Sequence, residues 1–319
     1  SVKNSSNRIL RCLHKGKLVV VAGEKESTEP KLLEMARDLL PYGEVIDYEF
    51  PTLQSYESKS PQSLAFVEGL TRENLAELAE HYLHQAAQKF PGLSVDLNLE
   101  KTDASLDLHS STGLKGSYSS CSLDLTIQVM EFKESEIFEW NRSLPAPPSN
   151  EKDLADFFDS FFSEVETART PSTPGKGTLP FIFAPSILQG GLLPSFFYGI
   201  SPTLLENKTS PLIHKLGEQI FHPMVNFEER ALEIPFDGDG LPTSPKVIIE
   251  QGHLKLFPIP LEYAKRLQAK PTGNSFSGFP FSDFTFQPGS GDLPKWIREM
   301  EEGILLVTSY NLTQRSEEH

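Results

Sequence analysis

The sequence predicts an α+β protein of two domains. An amino-terminal mixed α/β domain with an antiparallel meander covers 1–167, and a carboxy-terminal strand-rich domain covers 168–319. Three observations predict this. Strand-period runs follow one another between residues 93 and 140 with no helix between them, as in a meander. Helix-period segments stand apart from those runs instead of alternating with them, which argues against a βαβ series. A Thr/Pro/Gly/Ser connector, Ala168 to Thr178, interrupts both patterns and marks the boundary.

The elements follow in order. Arg8 to Leu13 and Lys17 to Ala22 flank His14-Lys15-Gly16 and read as a hairpin. Pro30 suits a first helical turn, and Leu32, Leu33, Met35, Ala36, Leu39 and Leu40 supply an apolar face. Pro41 to Ser63 reads as loop, with one short alternating stretch from Val45 to Phe50. After Thr71, Leu75, Leu78, Ala79, Tyr82, Leu83 and Ala86 recur at helical spacing until Pro91-Gly92. Strands are expected over Leu93 to Leu99, Ala104 to Leu108 and Cys121 to Phe132, continued by Glu136 to Trp140, with Ser110 to Gly113 as a turn. Residues 142–152, with Pro145, Pro147 and Pro148, read as a linker. A Phe-rich helix runs from Leu154 to Val165. Beyond the connector the order is a strand over Leu179 to Phe183, a helix over Ser186 to Tyr198, a loop, a helix over Pro211 to Phe221, then mostly strands.

Composition excludes several classes of function. The 319 residues carry a formal net charge of −15, so there is no surplus of Lys and Arg for phosphate contacts or an anionic membrane surface. The uncharged run from Leu179 to Ile200 is broken by Pro180, Pro185, Pro194 and Gly190-Gly191, which disfavours a spanning helix. Residues 1–8 have no apolar signal core. Two cysteines, Cys12 and Cys121, read as buried reduced thiols. The expectation is a cytoplasmic protein that touches neither nucleic acid nor membrane.

Candidate chemistry is sparse. His214, Glu218 and His222 lie four apart on the helix expected over 211–221, where side chains four apart share a face and could hold a metal. Against that stands a solvated helix end at Pro223. His81 and His84 form a weaker pair on a charged face. Asp237-Gly238-Asp239-Gly240 has the look of a calcium loop but lacks the later ligands, so a turn is the better reading. Thr272-Gly273-Asn274, with Gly278-Phe279-Pro280 nearby, offers a loop suited to an extended peptide or a phosphate. Gly175-Lys176-Gly177 lacks phosphate-loop spacing, and no Gly-x-Ser-x-Gly elbow is present.

The order of several short segments is more specific than any one of them. Thr209-Ser210-Pro211-Leu212-Ile213-His214-Lys215-Leu216-Gly217-Glu218 precedes the acidic-Gly segment 235–243. An Ile-Glu-x-Gly hairpin, 248–254, leads to Thr272-Gly273-Asn274. Phe286-Gln287-Pro288-Gly289 and Glu302 to Val307 follow. This order resembles the TldD/PmbA family, described as modulators of DNA gyrase and as a metalloprotease system. The amino-terminal part fits more loosely, through Arg11 to Gly23, the helices from Pro30 and Thr71, and Ser110 to Gly113.

In the family's catalytic subunit, His-Glu-x-x-x-His on a helix holds zinc, the Glu acts as general base and a later Cys completes the site. Counted back from Thr209-Ser210, that hexad falls on Leu193-Pro194-Ser195-Phe196-Phe197-Tyr198. Leu193 and Tyr198 replace the ligands and Pro194 replaces the base, so no catalytic residue is expected here. The resemblance therefore implies the TldE/PmbA-like branch, which lacks the zinc motif. Such a subunit pairs with a TldD-like catalytic chain, or with itself. It binds unfolded or leader peptides in extended form, with Asp237, Asp239, Thr272, Gly273 and Asn274 as candidate contacts. No cofactor is expected unless a catalytic partner, or His214, Glu218 and His222, supplies zinc. The resemblance also implies that the family's last strands and first elements lie outside this sequence. The alternatives are a stand-alone metallopeptidase with a relocated metal site and a non-proteolytic peptide-binding or assembly protein.

Overall fold

A computed structural model describes residues 3–24, 26–52, 55–57, 65–133, 136–170, 177–184, 187–188, 192–231, 234–276, 280–281, 283–289, 291, 293–300 and 303–306. The 171–176 part of the expected connector, Gly190-Gly191, Gly278-Phe279, Glu302, Val307 and much of the 41–63 loop lie outside the described residues.

The first hairpin forms as its pattern predicts. Strands β1 (Asn7–His14) and β2 (Lys17–Glu24) pair antiparallel through a turn at Lys15-Gly16, with φ of 51° and 73°. Such paired positive φ values match the right-handed twist of a hairpin. Helix α1 (Glu29–Leu39) has Pro30 in its first turn and buries Leu32 and Ala36 against Val19 and Val21. A short β3 (Glu44–Val45) closes this sheet beside β2. Strand β4 (Ser55–Glu57) and helix α2 (Ala65–Gly69) follow. Helix α3 (Arg72–Lys89) starts where Thr71 caps it: Thr71 Oγ1 accepts Asn74 N at 3.2 Å, and Asn74 Oδ1 accepts Thr71 N at 3.0 Å.

The meander is longer than its apolar pattern suggests. The two strands expected over 93–108 are one 16-residue strand, β5 (Ser94–His109). Its partner β6 (Lys115–Lys133) has 19 residues, not the 12 expected from Cys121. The pair runs in one unbroken register from Ser94↔Met130 to His109↔Lys115. Strand β7 (Glu136–Ser143) and β4 both lie on the other side of β6, β4 parallel to it. The segment expected as a linker is a seven-residue connection, 144–150, because α4 (Glu151–Ala168) begins at an Asn150 cap and returns over this sheet. Phe157, Phe158, Phe161 and Phe162 of α4 are buried against Cys121, Leu123, Leu125, Ile127 and Val129 of β6. Tyr82 of α3 stacks on Phe158 with ring centroids 3.5 Å apart.

The carboxy-terminal part begins with β8 (Phe181–Phe183), then α5 (Leu193–Gly199) and α6 (Pro202–Glu206). A second sheet has the order β11-β10-β9-β12, from β9 (Phe227–Glu229), β10 (Lys246–Glu250), β11 (His253–Leu254) and, after α7 (Leu261–Ala264), β12 (Phe284–Phe286). Helix α8 (Leu293–Glu299) precedes β13 (Ile304–Leu306), which pairs parallel with β8. Phe197, Phe227, Ile248, Ile249, Leu254 and Phe281 form the core here.

One expected helix is absent. Residues 211–221 run as turns, so α6 at 202–206, capped by Ser201 and started by Pro202, is the only helix between Tyr198 and β9 among the described residues. Tertiary pairing overrides the helical period: Gly217 N donates to Leu254 O at 2.6 Å, Leu254 N to Glu218 O at 3.0 Å, and Ile220 N to Gly252 O at 2.9 Å. No helix among the described residues is long and apolar enough to cross a membrane. Both cysteines are free; Cys121 is buried, whereas Cys12 is only half-buried.

Candidate functional site

The hexad positions are built for packing. In α5, Pro194 occupies the first turn, Leu193 and Phe197 point into the carboxy-terminal core, and Tyr198 is 68% exposed. Phe197 lies 5.3–6.0 Å from the rings of Phe227, Phe281 and Phe284. Leu193, Pro194 and Phe197 offer neither a donor atom for zinc nor a base, and the exposed Tyr198 phenol is a poor substitute for an imidazole ligand.

His214, Glu218 and His222 do not share a helix face, because the helix that would align them does not form. Glu218 pairs with Lys215 at 2.6 Å, and His222 Nδ1 accepts Met224 N at 3.2 Å. Among the described residues, no three His, Cys, Asp or Glu side chains gather in a group that could hold a metal ion. Among the described residues, then, no ligand set suits the zinc of the family's catalytic subunit.

The two late signatures, in contrast, meet. The acidic-Gly segment closes on itself as Asp237 N donates to Leu241 O at 2.8 Å and Gly240 N to Asp237 O at 2.9 Å. The Asp237 carboxylate is 2% exposed. Its Oδ1 accepts the Asp239 and Leu241 amides at 3.0 and 2.9 Å, and its Oδ2 accepts Ser275 N at 3.0 Å. Gly238 N returns to Ser275 O at 2.8 Å. Burial pushes the Asp237 carboxyl above its ordinary value, against the pull of these amides, and the nearby Asp239 charge pushes the same way.

Asp239 reaches the amino-terminal hairpin. Arg11 Nη1 donates to Asp239 Oδ1 at 2.8 Å and to Gly238 O at 2.9 Å, and its guanidinium lies 4.7 Å from the Phe50 ring centre. Leu261 N donates to Asp239 Oδ2 at 3.3 Å. Glu262, beside them, is held above the usual carboxylate range by burial and then by the Asp239 charge. Phe236 contacts Tyr56 and Tyr118, each at 5.6 Å between ring centres. Burial, with Asp237 adding to it, raises the Tyr56 phenol.

Thr272 fixes the second signature. Its amide donates to Ile259 O and its Oγ1 accepts Ile259 N, both at 2.8 Å. Gly273 has φ of +70°, and a Cβ there would collide with the Pro242 carbonyl oxygen. Only glycine combines that conformation with that approach. Asn274, 2% exposed, donates through Nδ2 to Glu229 Oε2 at 3.0 Å, and Glu229 pairs with Lys246 at 2.7 Å. Asn274 Oδ1 and Tyr56 Oη are buried with no partner, two polar atoms available to a donor or to water.

Asp237, Asp239, Thr272, Gly273 and Asn274 are thus brought together, with most of their polar atoms engaged in holding loops to one another. Arg11, Glu229, Lys246 and Ser275 belong to the same constellation but do not stand out in the sequence. The one available signal was Arg11, a charge within the otherwise apolar run Ile9 to Leu13.

Comparison with known proteins places this architecture. Residues 176–317 match the model of the PmbA/TldA metallopeptidase C-terminal domain. A metalloprotease PmbA homolog from Haemophilus influenzae is 27% identical over 151 residues, 45% of this chain and 33% of that protein. The matched stretch thus spans a third of that relative's length. Among solved structures, TldE from Thermococcus kodakarensis is similar at a TM-score of 0.79 and 19% identity, over 98% of this chain and 74% of its own. A proposed modulator of a DNA gyrase from Thermotoga maritima matches at 0.75 and 21%, over 95% and 72%. These structures share the fold across nearly the whole chain, and the sequence match relates its carboxy-terminal part, residues 176–317, to the PmbA/TldD proteins.

Proposed function

We propose that this chain is a TldE/PmbA-like, metal-free subunit of a TldD/TldE-type metalloprotease system, working in the cytoplasm. It holds extended peptide and supports a catalytic partner in the proteolysis of unfolded or leader peptides. The observation that carries this reading is α5. Where a catalytic member has ligand, base and ligand, this chain has Leu193, Pro194 and Tyr198, and Leu193 packs into the core. The fold likeness to a solved TldE adds support. The acidic charge of −15 fits a protein partner or peptide better than a nucleic acid.

The test is co-purification with a TldD-like chain that carries an intact His-Glu-x-x-x-His, followed by zinc analysis and peptide cleavage by each subunit and by the pair. The expected result is a stable pair, zinc only in the partner, and cleavage by the pair. Stoichiometric zinc with cleavage by this chain alone would overturn the reading.

A further inference from the structure

The outer edge of β5 has no partner strand among the described residues. Among the described residues β5 pairs only with β6, so its other side is a sheet edge. Its 16 residues contain no Pro or Gly, and the ladder to β6 has no bulge. Pro and bulges are two of the devices by which proteins blunt an edge; the charges that this edge does carry, Asp103 and Asp107, bias it against some partners and toward others. Residues 102–107 are all exposed, and Leu106 is 42% exposed.

Which backbone groups face outward follows from two hydrogen bonds. Ser110 N donates to Leu114 O at 2.9 Å and extends the β5–β6 register by one step, so even-numbered residues of β5 bond to β6. Leu144 N donates to Leu125 O at 2.9 Å on the far side of β6, which fixes the same parity independently. The N–H and C=O groups of Asp103, Ser105 and Asp107 therefore point away from β6.

We propose that this edge, residues 102–108, captures an extended polypeptide segment with Lys or Arg at every second position. The idea rests on the peptide-holding reading above and says where and with what chemistry. Side chains of a paired strand alternate between faces. On one face the newcomer meets Thr102, Ala104, Leu106 and Leu108, small or apolar. On the other it meets Asp103 and Asp107, with Lys101 lying 3.7 Å from Asp103, whose side chain stays 70% exposed. Basic side chains opposite the two aspartates are favoured cross-strand pairs. A second copy of the chain is the poorer occupant. Antiparallel self-pairing centred on Ser105 sets Asp103 directly against Asp107, and like charges so opposed repel.

The probe is a fluorescein-labelled (Thr-Lys)5 peptide read by anisotropy, alongside (Thr-Glu)5 and a (Thr-Lys)5 methylated on every backbone nitrogen. The last carries the same charge but has no backbone N–H to donate to a ladder. Wild-type protein is expected to prefer (Thr-Lys)5 to both by at least tenfold. Ser105→Pro removes one outward N–H while leaving the β5–β6 bonds intact, and should weaken binding at least tenfold. The double variant Asp103→Lys/Asp107→Lys, which leaves the backbone alone, should transfer the preference to (Thr-Glu)5. Equal binding of the backbone-methylated peptide, or binding untouched by both variants, would overturn the edge. If peptides from a denatured-protein digest are still retained in that case, the peptide-holding reading stands without it. If no peptide of any kind is retained, that reading falls as well. A dimer that Ser105→Pro converts to monomer would instead assign the edge to a second copy and overturn the peptide.

Discussion

Asp237 shows how one buried carboxylate can be indispensable and costly at once. Three backbone amides converge on it, which would ordinarily stabilise the anion, yet the loss of solvent dominates and its carboxyl binds a proton more tightly than usual. The sign of the pH effect follows. The folded chain keeps this proton at pH values where the unfolded chain, near 3.8, has released it. Its contribution to stability is therefore greatest at low pH and is lost as pH rises through the raised folded value. Asp237→Asn removes this group from the titration. The difference in unfolding free energy, wild type minus variant, should fall between pH 4 and pH 7 when followed by urea midpoints. A difference that rises with pH would show that the three amides outweigh burial.

At the scale of elements, α4 carries the amino-terminal half. Phe158 is fully buried, stacked on Tyr82 and flanked by Phe157 and Phe162. Truncating it to Ala should cost about 3–5 kcal/mol through lost transfer energy and the cavity left behind. Tyr198→Ala in α5, at 68% exposure, should change stability by less than about 0.5 kcal/mol. Denaturant titration of both variants checks the contrast; equal losses would mean that α5 is packed as deeply as α4. The same contrast explains what the sequence made legible. The Phe run of α4, the capped α3 and the first hairpin bury one face each, so their periods are plain. The outer half of the β5–β6 ribbon buries little. Ser117, Ser119 and Ser120 carry no alternation, and backbone pairing alone extends it beyond the apolar residues. The stretch Leu212 to Ile220 has a helical period and still forms turns, because its amides are taken by Leu254 and Gly252 across the chain. The candidate loops were legible as loops. Their partners were less so: Arg11 shows only as a charge in an apolar run, with its loop 227 positions away, and nothing local marks Glu229, which meets Asn274 across 45 positions.

Across the whole molecule, one short loop ties the two halves together. Residues 236–241 touch β1 through Arg11, β4 through Tyr56 and β6 through Tyr118, while Ser275 and Leu261 anchor the same loop to the carboxy-terminal part. A second link, Lys265 to Asp47 at 3.4 Å, is exposed and contributes little. Arg11→Ala would strand Asp239, whose side chain is 4% exposed, as a buried charge without its cation. Losing one partner of a buried pair costs about 3–5 kcal/mol, and the 28% exposure of Arg11 places this one nearer the lower figure. Phe236→Ala would remove the aromatic contacts from the neighbouring position. If the loop acts as one joint, the first truncation already loosens what the second would release. The double variant should then cost less than the sum of the singles, with a coupling of about 0.5–3 kcal/mol. Urea unfolding of wild type, both singles and the double measures that coupling directly. Strict additivity would mean that Arg11 and Phe236 secure the halves by separate routes, and the view of this loop as a single splice would have to be abandoned.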